Sequence, residues 1–598
     1  MRDQFDLVII GSGAGGAPIA NVLAQAGKSV LILEKGPLLG AQHQNPRRLS
    51  DYKRDELLAT GSEKRIQHPT ANQGESFYTS HVEPDLNDEP HIYRGADGRD
   101  RVTIEGYTAQ AVGGGTNLYG AVSLRFTQDD FRLRSYNDGR TDLRNDPNGD
   151  VQREVRDWPI SYDELEPYYC QAEKLIGING TRLNQAKGFS EDNYQTPLEP
   201  NPISRFAEIG MDALGMARYR TPLAVITQDH TSSGRKSYPP KAGFVNRYGD
   251  PLGLKSNTWV SLLWPIIRRT DLELWPNCVA THLGINGAQV TKVHYRDPGG
   301  AARTVVGNVV IVACSAIESV RLLKLSGEID PAFGARINSN GLLGAYFLTH
   351  CFGGAEAVMP GRYDKSISLD SDWATDFCAS HDFIRSNGLW AGGAIYNNTS
   401  DQALPISLAR THGSQDLDTI WKAFVDDTGM TGENLSAWLG ANFGTRLSVS
   451  FMANQVPQRG NRIELHPNIR DKWGRKVAYI IKDWHSHDRY LMDTLAEQCA
   501  RVLRYGGDGG NGGYPVSEKG GVYLAENGLV RIANHILGGA RFGAHENDSV
   551  LDKDCRAWGF DNLYVTDGSF MPTSGSANPT LTIQANSFRV AKILTTRI

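Results

Sequence analysis

Near its start the chain reads Leu7-Val8-Ile9-Ile10-Gly11-Ser12-Gly13-Ala14-Gly15-Gly16, an order in which each residue type serves the capture of a dinucleotide. Gly11 permits the tight turn after a strand, and Gly13 lets the backbone approach a pyrophosphate. Gly16 lets the next helix pack close to the strand, and that helix's N-terminus presents partial positive charge. Glu34 closes the next apolar run, residues 29–33, where a carboxylate accepts hydrogen bonds from an adenosine ribose. Its charge would repel a 2′-phosphate, which favours FAD or NAD over NADP. A second glycine-rich turn, Gly113-Gly114-Gly115-Thr116-Asn117-Leu118, would bring backbone close to a flat ring or a phosphate. Towards the other end stand residues 562–572, which contain Asp567-Gly568, and then Asn578-Pro579-Thr580, with His535 upstream. This later segment reads as a catalytic piece folded back onto the dinucleotide site. The two ends together point to a flavin enzyme that oxidises an alcohol.

The elements that must hold these residues follow from the pattern around them. Residues 7–10 form a short apolar run, as a central parallel strand should be. A helix carries Ala20, Val22, Leu23 and Ala26 and stops at Gly27; Pro18 lies early in it, where a missing N–H costs little. Val309-Val310-Ile311-Val312 adds a strand to the same sheet and runs through Ala313-Cys314-Ser315 into a helix with Val320, Leu322 and Leu323. From 353 to 507 this pattern is absent. Residues 448–453 and 462–465 alternate as strands do, and Arg459-Gly460-Asn461-Arg462 reads as the hairpin turn between them. The same stretch holds Trp373, Trp390, Trp421, Trp438 and Trp473, each read as packing before sugar platform. Residues 504–514, rich in glycine, read as a flexible linker, with a mobile flap as the functional alternative. The polar insertion 42–101 is expected to be a lid or a subunit arm.

Composition sets the outer bounds. A chain of 598 residues exceeds what one core usually serves, so at least two domains are expected. With 62 basic against 67 acidic residues, nucleic acid and anionic membrane are disfavoured as partners. No apolar run approaches the roughly 20 residues that span a bilayer. The run 7–10 is too short for a signal-peptide core, which makes a cytoplasmic protein the expectation. The seven cysteines are scattered without iron–sulfur or zinc spacing, so no metal site is expected.

Four blocks, at 11–34, 113–125, 309–326 and 535–591, resemble the glucose–methanol–choline (GMC) oxidoreductase family in content and order. The segment 157–169, with Trp158-Pro159-Ile160-Ser161-Tyr162, is similar to the bacterial sugar and sugar-acid branch. That branch includes pyranose oxidases and the large subunits of gluconate and fructose dehydrogenases. The resemblance implies an α/β FAD-binding, Rossmann-like domain built from 1–160, 225–345 and 525–598. It also implies an α+β substrate domain, an antiparallel sheet plus helices, built from 161–224 and 346–524. Glu34 is then the ribose ligand and the backbone at Val279 lies near adenine. Gly11, Gly13, Gly16, Gly113, Gly114, Thr116, Asn117, Asp567 and Gly568 surround the rest of FAD. Some pyranose oxidases bond flavin to a histidine where this chain has Leu118, so noncovalent FAD is expected. The family places a histidine and a second His or Asn at the chemistry; His535 and Asn578 match. A histidine near neutral pKa takes the alcohol proton and a neutral amide steadies the alkoxide. His350 is the back-up base, with a structural role favoured, and His545 reads as a solvated loop residue. The implied substrate is an alcohol, sugar or glycoside, and the electron acceptor oxygen or a quinone. A lyase that keeps FAD only as structure is the alternative.

Overall fold

The computed structural model describes residues 2–38, 82–84, 88–95, 97–103, 105–237, 253–363, 371–399, 432–434, 436–437, 444–515 and 532–598. Its central sheet has seven strands. Gln4–Ile10 lies in the middle, paired in parallel with Val30–Leu33 on one side and Ala302–Val312 on the other. Leu272–Trp275 extends the sheet beyond Val30–Leu33. Beyond Ala302–Val312 the strands Gln289–Arg296 and Val279–Asn286 run antiparallel, and Leu563–Val565 joins Ala302–Val312 in parallel. Leu7, Val8, Ile9, Leu31, Ile32, Val310 and Ile311 are fully buried, as expected of strands covered on both faces. The helix Ala17–Gln25 has Pro18 in its first turn, and the C-terminal helix Thr580–Arg597 packs on it.

A second, five-stranded antiparallel sheet holds Cys351–Val358, Arg446–Ala453, Gly393–Asn398, Trp373–Thr375 and Arg218–Arg220 in that order. One face is closed by the helices Ser486–Gly507 and Arg205–Ala213, which bury Leu491, Leu495, Cys499 and Leu503 against Leu447, Val449 and Phe451. The hairpin expected at 459–462 does not form. Arg446–Ala453 stays in this sheet, whereas Arg462–Arg470 pairs with Lys476–Ile481 in a separate four-stranded sheet completed by His91–Arg94 and Asp100–Thr103. The connection carries Pro457, which has no N–H to give a ladder, and Asn454 and Gln455 spend their side chains on other loops. The 459–460 turn is real but joins strands of two sheets.

The glycine-rich stretch is not a linker. The helix runs on to Gly507, and the Asp508 carboxylate then accepts the amides of Asn511, Gly512 and Gly513. Tyr514 fastens the far side through its hydroxyl to the Val358 carbonyl at 2.7 Å. Trp390 is wholly buried, and Trp373 lies under the guanidinium of Arg218 at 4.1 Å. Both are packing residues. Trp421, Trp438 and most of the 42–101 insertion fall outside the described residues; its later part supplies two strands of the four-stranded sheet.

Two buried arginines bind these parts together. Arg125, fully buried, grips Glu173 with two parallel hydrogen bonds of 2.6 and 2.7 Å and Glu166 with a third of 3.0 Å. Both acids lie on the helix Tyr162–Ile176, which opens with a capping box of Ser161 and Glu164. Arg321 reaches Glu89, Glu318 and Asp471, joining the central sheet's helix Ala316–Ile329 to the four-stranded sheet.

Candidate active site

The first glycine turn separates into residues that serve the protein and one that does not. Gly11 has φ +105°, and a Cβ there would lie 2.2 Å from the Ala313 carbonyl oxygen. A Cβ on Gly16 would lie 2.1 Å from the Gly11 carbonyl oxygen, so the close approach of helix and strand forbids any side chain. Gly13 differs: its nearest neighbour would be Gly114 Cα at 3.7 Å, an ordinary contact. The bareness of Gly13 is not required by the protein's own packing, which is what a backbone kept clear for a ligand looks like.

Glu34 is tied into the same turn. One carboxylate oxygen accepts the Ser12 amide at 3.0 Å and the Ser12 hydroxyl at 2.6 Å; the other accepts the Gly36 amide at 2.9 Å. Burial pushes its pKa up, against these hydrogen bonds. Ser12 Oγ in turn accepts the Gly113 amide at 2.9 Å, so the two glycine turns and the acid form one hydrogen-bonded unit. Val279 lies beside it, since the Cys278 amide donates to the Glu34 carbonyl at 2.9 Å. Thr116 and Asn117 point their side chains into the protein. Thr116 Oγ1 donates to the Gly113 carbonyl at 2.6 Å, and Asn117 Nδ2 donates to the carbonyls of Val112 and Gly114 at 3.0 Å. Their side chains shape the turn.

The late segment does fold back onto this unit. A Cβ on Gly15 would lie 2.9 Å from Asp567 Cα, and Thr566 Oγ1 donates to the Gly15 carbonyl at 2.9 Å. The buried Asp567 carboxylate accepts Ser569 through its amide at 3.0 Å and its hydroxyl at 2.6 Å, and also takes the Ser319 hydroxyl. These bonds fix the short turn Gly568–Phe570. A Cβ on Gly568 would lie 2.8 Å from the Ile536 carbonyl oxygen, which brings the His535 loop to the same place.

His535 is half-buried and meets His350 there, Nδ1 to Nδ1 at 3.2 Å. The meeting follows from register. Phe347–Leu348 and Leu537–Gly538 form an antiparallel pair with Leu348 opposite Leu537, and continuing that register sets His350 opposite His535. His350 has no exposed surface, and burial, with His535 beside it, drives its pKa well below the usual histidine value. Asn578 follows the loop 574–578, which is held from several sides. Ser574 Oγ accepts the Gln455 amide at 2.9 Å, Gly575 N–H reaches Asn454 Oδ1 at 2.7 Å, and Ser576 Oγ donates to the buried Asp130 at 2.6 Å. Trp158 and Tyr169, from the 157–169 motif, brace Thr573 and Thr582 on either side at 2.8 and 2.7 Å. Asn578 Oδ1 is buried and makes no hydrogen bond among the described residues. His545 is exposed in its loop.

Sequence reading held His350 in reserve and missed Asp130, because their partners His535 and Ser576 lie 185 and 446 positions away. Asp146, Asp150 and His485 also converge, within 4.8 Å of one another, but as helix caps: Asp146 accepts the Asp150 amide at 2.8 Å, and Asp150 pairs with Arg153.

Comparison with known proteins bears on this geometry. Residues 457–587 match the GMC oxidoreductase family model, and residues 9–61 match an NAD(P)-binding Rossmann-like domain. The chain is similar to GMC oxidoreductases. The 2-methyl-1,2-propanediol dehydrogenase of Mycolicibacterium austroafricanum is 25% identical over 100% of this chain and 96% of that protein. The fructose dehydrogenase large subunit of Gluconobacter japonicus is 25% identical over 98% and 97%. Among solved structures, the formate oxidase of Aspergillus oryzae superposes with a TM-score of 0.62 at 13% identity, covering 100% of this chain and 99% of that one. That likeness is one of fold. The cofactor is FAD. The residues present fit it: Gly13 is uncovered, the turns at 11–16 and 113–117 are locked to Glu34, and an orphaned Asn578 oxygen stands at the late loop.

Proposed function

We propose that the enzyme oxidises a CH–OH group of a sugar, glycoside or related polyol, with His535 as the base and Asn578 as the amide donor. The observation that carries this reading is the folding of the late segment onto the glycine turns, with His535 and the 574–578 loop at the junction. His535 takes the proton from the substrate hydroxyl. As negative charge develops on that oxygen, Asn578 Nδ2 donates to it and holds it in place. FAD, when bound, supplies the acceptor for the hydride released at the carbinol carbon. Relatives that act on a diol and on fructose support a polyhydroxylated substrate, and oxygen or a quinone would complete the cycle.

FAD is held without a covalent bond in this reading, because Leu118, packed against Ala109, offers no nucleophile. After acid precipitation the yellow colour should stay in the supernatant; colour in the pellet would reject the point. The division into a FAD part (1–160, 225–345, 525–598) and a substrate part (161–224, 346–524) is supported by the sheets, since the seven-stranded one draws on the first set and the five-stranded one on the second.

The test is anaerobic mixing of the purified protein with sugars, glycosides and simple alcohols while flavin absorbance is followed, then admission of air. Bleaching by a sugar supports the reading, and the speed of recolouring in air separates oxygen from a quinone-type acceptor. In the same assay His535→Ala should slow flavin reduction by about 100-fold or more with FAD retained. A loss of only a few-fold would reject His535 as the base. A substrate that turns over without ever bleaching the flavin would put the lyase first.

A further inference from the structure

We propose that His350 is a positioning residue that sets the tautomer of His535, accepting its Nδ1 proton so that the His535 lone pair lies on Nε2. The inference rests on the reading of His535 as the base. Two ring nitrogens 3.2 Å apart must share one proton, one ring donating and the other accepting. Which is which follows from the role of His535 as the base. The backbone of Ala577, Ser574 and Gly575 favours a proton on the His350 ring. Its Nε2 is buried and makes no ordinary hydrogen bond among the described residues. His535 Nδ1 is spent on this contact, so the nitrogen that a base would turn to the substrate is Nε2, and a lone pair there puts the His535 proton on Nδ1. A neutral imidazole carries a single N–H, so His350 keeps it on Nε2 and presents Nδ1 as an acceptor. His535 is then the donor through Nδ1.

His350 is suited to that task. It is fully buried, and that burial opposes a second proton, so it stays an acceptor across the working pH range. It cannot swing away. Thr349 N–H is held by Gln455 Oε1 at 2.8 Å, the Gln455 amide is held by Ser574 Oγ, and the rings meet edge to face with centroids 5.0 Å apart. When His535 takes a proton on Nε2, the Nδ1–H bond to His350 strengthens, and the charge gained is steadied without moving the ring. The same anchors that fix the 574–578 loop therefore also fix the protonation pattern of the base.

The test uses full-length, FAD-loaded protein labelled with ¹⁵N-histidine. The pair of resonances lost in His535→Ala belongs to His535, and above pH 8 its Nδ1 should show the shift of an N–H nitrogen and its Nε2 that of a lone-pair nitrogen. The reverse pattern overturns the proposal. Two variants add a kinetic reading. His350→Asn can offer its side-chain oxygen where Nδ1 stood, and His350→Leu cannot. The limiting rate of flavin reduction should fall about 100-fold in His350→Leu and less than about tenfold in His350→Asn, since a wrong tautomer removes the base. Equal rates in the two variants would overturn it. If His350→Leu fails to fold, the wild-type resonances decide alone. Should His535→Ala reduce flavin normally, the base assignment itself falls; a collapse in His535→Ala with equal His350 variants rejects only the role of His350.

Discussion

An alanine at position 13 would make an ordinary contact with Gly114, whereas one at position 16 would run into the Gly11 carbonyl at 2.1 Å. Gly16→Ala should therefore destabilise the protein by at least about 2 kcal/mol whether or not FAD is present. Gly13→Ala should leave the melting temperature of the flavin-free protein within a degree or two and yet purify with little flavin. Equal flavin content in Gly13→Ala and wild type would show that position 13 does not border the cofactor. The glycines and Glu34 were legible in the sequence because their work is local and their spacing is fixed by strand, turn and helix. Thr116 and Asn117 were legible as turn residues, but their side chains turn back to the carbonyls of Val112, Gly113 and Gly114. His350 was visible only as a candidate, because its partner is set by the pairing of two short strands far apart in the chain.

Among the elements, the long helix Ser486–Gly507 holds a histidine that cannot afford a second proton. His487 Nε2 accepts the Trp390 amide at 3.2 Å, and Nδ1 is bound at the Arg144 carbonyl. Burial pushes its pKa down from 6.5 to about 4. The unfolded chain thus binds a proton between about pH 6.5 and 4 that the folded one refuses. Stability is full above pH 6.5 and falls as pH drops towards 4, by up to about 3 kcal/mol from this group. His487→Gln, which does not titrate, should flatten the decline in melting temperature between pH 7 and 4.5; an unchanged slope would assign the decline to other groups. The strands themselves were readable from alternation, but their pairing was not. Arg446–Ala453 and Arg462–Arg470 lie close in sequence and belong to different sheets, since alternation reports which face is buried and is silent on the neighbour. The glycine run misled for a similar reason: composition suggested slackness, and one carboxylate, Asp508, removes it.

At the scale of the molecule, Arg321 is the joint between the central sheet and the four-stranded sheet. Glu89 and Asp471, both buried, converge on its guanidinium together with Glu318, and Lys35 and Arg475 complete the balance around Glu89. Arg321→Met leaves those carboxylates without their central cation and should cost about 3–5 kcal/mol, read as a lower urea midpoint. A change under about 1 kcal/mol would mean that the remaining cations suffice. No local pattern announces this joint, because its members come from four separate stretches of chain.

The closing of the first glycine turn by Asp567 and Thr566 also has a consequence for how the protein is made. Gly11 to Glu34 leave the ribosome long before the partners that complete their site, residues 563–567. Until Leu563–Val565 arrives, residues 310–312 of Ala302–Val312 have one open edge, ready to pair with another chain. FAD capture thus waits for residues 563–567, and a chain released before them should be both flavinless and exposed to aggregation. Flavin in the growth medium would rescue completed chains and do nothing for truncated ones.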